Sequence, residues 1–145
     1  MDNPALSAAV AMLETQAIDG AEAPRIAASV VSIWQQIEQA LTPILGARGV
    51  AALFKRALFL TKDRYPWLEE AFAAIEASGG RSAADLFGLV LGRQSAASAA
   101  AGGAAFLSTF HAVLVSMIGP TLTERLLLSV WTTFSSGPPA QDISP

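Results

Sequence analysis

Residues 25–46 read RIAASVVSIWQQIEQALTPILG, and residues 98–119 read SAAAGGAAFLSTFHAVLVSMIG. In the first stretch Ile26, Val30, Ile33, Ile37, Leu41 and Ile44 recur every three or four residues. That is the spacing of one face of an α-helix. Phe106, Phe110, Leu114 and Met117 repeat the pattern in the second, with Ser108, Thr109, Ala112 and Ser116 on the other side. A shift of 73 residues lays one stretch on the other. Ile33 meets Phe106, Ile37 meets Phe110, Leu41 meets Leu114, and Gly46 meets Gly119. The match runs on through Leu53 with Leu126 and Ala57 with Val130, and fades upstream where Val30 faces Gly103. A helix–glycine–helix unit used twice, giving two pseudo-repeated halves, accounts for a shift of half the chain.

The same period holds outward from both stretches, and sustained alternation is absent. The pattern predicts an all-α, single-domain bundle of six or seven helices over 1–135, with 136–145 a disordered tail around Pro138-Pro139. The first helix spans about Ala5 to Ile18, and the second opens at Pro24 and breaks at Pro43 and Gly46. A third covers Ala47 to Arg64, and a short one follows Pro66 and turns at Gly79-Gly80. Ser82 with Asp85, and Thr121 with Glu124, read as capping boxes for later helices. Residues 95–105 are Ala, Ser and Gly, and their composition suits either a helix or a connector.

Composition narrows the function classes. The chain has 145 residues, 52% of them apolar and 14% charged, with net charge −3. So little charge requires apolar surface to be hidden in a core or against a partner. A net acidic chain argues against general affinity for nucleic acid. Without Cys, thiolate sites and disulfides are excluded. The stretch from Gln94 to Thr123 carries no charge, but its weakly apolar first half and polar side favour a buried helix over a stable membrane span. Abundant Ala, and seven Arg to two Lys, suit a GC-rich bacterial genome, and the expected compartment is the cytoplasm.

No motif for catalysis, phosphate binding, a metal or a cofactor stands out. His111 is the single His and sits at the edge of an apolar face, where an interior role is expected rather than haem or metal ligation. Asp63, Glu69 and Glu70 lie at a helix start, which suits acidic residues without any catalytic role. Two helix faces are more informative. Arg48, Lys55 and Lys62 recur every seven residues beside Arg56, and Phe59 lies among them. An aromatic ringed by cations is a docking point for a protein partner, so Lys55, Arg56, Phe59 and Lys62 are the candidate partner-binding residues. On the last helix, Leu126, Leu127, Val130 and Phe134 face inward, whereas Leu128 projects outward and Trp131 sits at the boundary. That pair is the candidate homodimer interface. The expectation is a non-enzymatic regulatory or adaptor domain that binds proteins and self-associates. The alternative is a binder or sensor of an apolar small molecule or acyl chain, held in a cavity between the halves.

Overall fold

The computed structural model describes residues 4–78 and 83–135, which form one all-α domain of six helices. They are α1 (Pro4–Ile18), α2 (Ala23–Thr61), α3 (Leu68–Ser78), α4 (Ala83–Gly92), α5 (Ala96–Ile118) and α6 (Pro120–Ser135). The expected tail, the Gly79-Gly80 turn and the Ser82 cap lie outside the described residues.

The second and third helices of the sequence pattern are one run, α2, bent at Gly46, where φ is 80° and ψ is 156°. No loop separates the arms 23–45 and 47–61. Pro43 withholds one backbone donor just upstream, and glycine alone takes such a φ without steric cost. Gly119 joins α5 to α6 in nearly the same conformation, φ 88° and ψ 160°. Pro120 then occupies the first position of α6, where its missing N–H costs nothing. Thr121 is therefore inside the helix, and the capping box expected of it with Glu124 is not formed.

Ser95 caps α5, its hydroxyl accepting from the Ser98 N–H at 3.1 Å, so the Ala/Ser/Gly stretch is helix. Its glycines permit close packing. A methyl group on Gly103 would lie 2.6 Å from Val30 Cγ2, and one on Gly102 would lie 2.6 Å from the Trp67 ring. The arm 23–45 thus runs hard against α5, and their facing side chains form an aromatic core. Trp34 lies 4.7 Å from Phe54 and 4.9 Å from Phe110, and Phe106 lies 4.9 Å from Phe54 and 4.8 Å from Phe87, centroid to centroid. Edge-on and tilted pairs of this kind add about 0.5–1.5 kcal/mol each beyond area burial. α1 packs on α5 and α6, and α4 packs on α2 and α3.

The 73-residue pairs share environments. Ile33, Phe106, Ile37, Phe110, Leu41 and Leu114 are all fully buried, as are Ala57 and, nearly, Val130. Ile44 and Met117 were expected inward but are 59% and 63% exposed. They lie in the last turn before each glycine bend, and the next residues, Leu45 and Ile118, pack on the core instead. α5 is long and apolar enough to cross a membrane, and its apolar face is spent on α2 and α1.

Gly103→Ala tests the close approach. Alanine gains about 1 kcal/mol of helix propensity over glycine. The collision with a buried valine, stiff at χ1 in a helix, costs more, in the range of about 1–3 kcal/mol. Urea unfolding should show a net loss, and Val30→Ala in the same chain should cost less than the two single changes added together.

Candidate functional site

The C-terminal arm of α2 buries Val50, Leu53, Phe54, Ala57 and Leu58 and turns Arg48, Ala52 and Phe59 away from the core. After Thr61 the chain reverses through Tyr65 and Pro66, with Tyr65 N–H donating to the Thr61 carbonyl and Leu68 N–H to that of Tyr65. α3 then returns along the arm. Leu68, Ala71 and Ile75 face the core, which leaves Glu69, Phe72 and Glu76 as the adjoining stripe.

That stripe meets α2 in three antiparallel steps. Lys62 Nζ lies 3.0 Å from Glu69, the Phe59 and Phe72 ring centroids are 5.7 Å apart, and Lys55 Nζ lies 2.7 Å from Glu76. Lys62 Nζ also sits 4.6 Å above the Phe59 ring, a cation–π contact. Lys55, Arg56, Phe59 and Lys62 are therefore brought together, but both lysines already hold carboxylates of α3. Nothing in the sequence of α2 itself announces which face α3 will cover. Arg48 and Arg56 form no ion pair among the described residues. Along the edge where α2 meets α3, an open slot of about 410 Å³ is lined by Ala52, Lys55, Arg56 and Phe59 of α2 and Phe72 of α3, and Phe59 remains 43% exposed.

The matching face of α6 is different. Leu127 and Val130 are buried, Leu126 packs against the core, and Leu128 is 61% exposed between exposed Arg125 and Ser129. The Trp131 and Phe134 side chains lie outside the described residues. In the 73-residue register Leu128 corresponds to Lys55, Ser129 to Arg56 and Arg125 to Ala52, so the cationic face of α2 that α3 covers has a less charged counterpart on α6, which no helix among the described residues covers.

Two clefts were not foreseen, since each depends on which helices become neighbours. The α1–α5–α6 junction encloses about 380 Å³, with His111, Glu14, Ser108 and Glu124 among apolar side chains. His111 is 8% exposed, and burial holds its pKa below the ordinary 6.5, opposed by the nearby Glu124 carboxylate. A groove of about 670 Å³ runs between α2 and α4 over Pro24, Ala28, Val31, Gly88 and Leu89. Its α2 residues Ala28, Val31, Ser32 and Gln35 are the 73-residue counterparts of Ala101, Ala104, Ala105 and Ser108. Those four line a third cleft of about 440 Å³, beside Arg64 and Tyr65. Among the described residues no three His, Asp or Glu side chains are grouped as a metal site would need.

Compared with family models, with curated proteins and with solved structures, the chain matches none.

His111 supplies a pH test. Its folded-state pKa is depressed, so between that value and 6.5 the unfolded chain binds more protons than the folded one. Its contribution to stability is complete above 6.5 and is lost as pH falls through the folded value. Melting temperature should drop from pH 7.5 toward the acid side, and His111→Gln should remove the part of that slope nearest neutrality. Parallel curves for both proteins would show that His111 is not desolvated.

Proposed function

We propose that this chain is a non-enzymatic regulatory or adaptor domain of the bacterial cytoplasm, acting by protein–protein contact and associating with itself as a homodimer. We further propose that its halves descend from one helix–glycine–helix unit. The matched backbone at Gly46 and Gly119, the shared burial pattern and the corresponding clefts support the duplication.

One observation carries the self-association reading. At corresponding positions of the two halves, Lys55 is engaged by Glu76 of α3, whereas Leu128 stands 61% exposed. Within a duplicated architecture, the second face is a helix-packing surface that no helix among the described residues covers. A second copy presenting the same face can pair with it about a twofold axis, leucine to leucine. Burying a leucine against a partner is worth about 1.5–3 kcal/mol, and a twofold contact counts it twice.

The runner-up, a binder of an apolar small molecule or acyl chain, has less room than expected. The space between the halves is filled by Trp34, Phe54, Phe87, Phe106 and Phe110. The remaining room for such a ligand is the α2–α4 groove, where Leu89 is 58% exposed, or the α1–α5–α6 cleft beside His111.

Light scattering of the purified protein should report a dimer at micromolar concentration. Leu128→Glu should shift it to monomer with its far-ultraviolet circular dichroism unchanged, because the side chain lies outside the core. A monomeric wild type would sink the self-association reading. Native mass spectrometry that finds added mass of lipid size would favour the runner-up.

A further inference from the structure

We infer that the open flank of the C-terminal arm of α2 docks an acidic amphipathic helix of a partner protein. An apolar anchor fills the slot formed by Ala52, Phe59 and Phe72, and carboxylates bind Arg56 and Arg48. This inference rests on the protein-binding reading above and names the partner's chemistry.

The arm already shows what it recognises. On its covered flank Lys62, Phe59 and Lys55 hold Glu69, Phe72 and Glu76, an acid–aromatic–acid line at i, i+3 and i+7. On its open flank Arg48, Ala52, Arg56 and Phe59 follow the same helical periodicity and offer cation, small side chain, cation and aromatic. Ala52, Lys55, Arg56 and the two phenyl rings line the slot, which opens broadly to solvent. A branched or aromatic side chain entering there covers the exposed part of Phe59. A carboxylate one turn away on the same helix reaches Arg56, and one two turns further along reaches Arg48.

Charge sets the sign of the partner. The chain is acidic overall, but on this face Glu69 and Glu76 offset only the lysines, and the two arginines remain without ion pairs among the described residues. An acidic helix complements that excess and is steered toward it. An anionic membrane fits less well. Phe59 is packed against the Phe72 ring rather than standing free to insert among lipid chains.

The probe is a capped synthetic peptide WLEEAFAAIEAS, identical to residues 67–78, which carries the acid–aromatic–acid line. It is titrated into the ¹⁵N-labelled full chain at low salt. Shift changes should gather at Ala52, Arg56 and Phe59 and weaken as NaCl is raised. Arg56→Glu, on an exposed side chain, should weaken binding about fivefold or more with unchanged circular dichroism. The same peptide with all three Glu changed to Gln should bind as weakly. The inference is overturned by an unperturbed spectrum at millimolar peptide, by shifts centred on α6, by loss of α3 resonances through displacement, or by equal binding of the Gln peptide. Sedimentation of the protein with phosphatidylcholine–phosphatidylserine vesicles, abolished by Arg56→Glu, would assign the face to a membrane instead. Light scattering on the same samples separates the two readings. A monomer that binds the peptide ends self-association and leaves this inference standing, and a dimer that ignores it does the reverse.

Discussion

Everything else in the domain follows from the approach of α2 to α5 at Val30 and Gly103. A helix-interior glycine costs about 1 kcal/mol relative to alanine, and α5 carries two in succession. That cost is offset because the missing side chains let one helix settle on a buried valine and let Trp67 lie over the next position. Drawing the helices together brings Trp34 against Phe110 and Phe106 and closes the aromatic core with Phe54 and Phe87. With a bulkier residue at Gly103 the pair would separate and those rings would lose their edge contacts, whereas one at Gly102 would displace the Trp67 ring.

A core filled this way pushes function outward. Five aromatic rings occupy the centre between α2, α4 and α5, and the clefts lie toward the edges of the bundle. Three ion pairs are formed among the described residues, and all of them involve α3: Lys55 with Glu76, Lys62 with Glu69, and Arg93 with Glu70. Each pair is partly or largely exposed and adds little to stability by itself. Their effect is positional. Together they pin α3 along one arm of α2 and toward α4, which fixes the edge of the slot beside Phe59.

The helices and the core were legible because apolar spacing reports burial directly, and Ile33, Ile37, Leu41, Phe106, Phe110 and Leu114 are all interior. Backbone detail was harder to read. Gly46 and Gly119 were visible as breaks, but not that each would turn the chain within a single residue, which exposed Ile44 and Met117 and placed Pro120 ahead of Thr121. The stretch 95–105 was ambiguous because its composition gives no amphipathic period. Its helix is decided by what lies across from Gly102 and Gly103, which is tertiary information. The same limit applied to the sites. Lys55, Arg56, Phe59 and Lys62 could be grouped from their spacing, whereas the carboxylates of α3 that occupy two of them depend on a chain reversal at Tyr65-Pro66. The α1–α5–α6 cleft around His111 joins residues about a hundred positions apart and had no local signal.

An exposed leucine taken alone says little, since much of any folded surface is apolar and single exposures are ordinary. Leu128 carries weight because of what stands at the corresponding place. There the chain uses a lysine, a phenylalanine one turn on, and a dedicated helix whose acids and aromatic meet both. On α6 a leucine stands at the lysine's position and a serine at the neighbouring arginine's, with Arg125 at that of Ala52, and the face stays exposed. A surface that stays uncovered within one chain is usually kept soluble by charge. Here the face that α3 covers carries more cations than the open one, which is the opposite of what solubility alone requires. Under the proposed duplication, that difference separates the two faces: the cationic one is the proposed site of an acidic partner, and the one around Leu128 the proposed contact with a second copy.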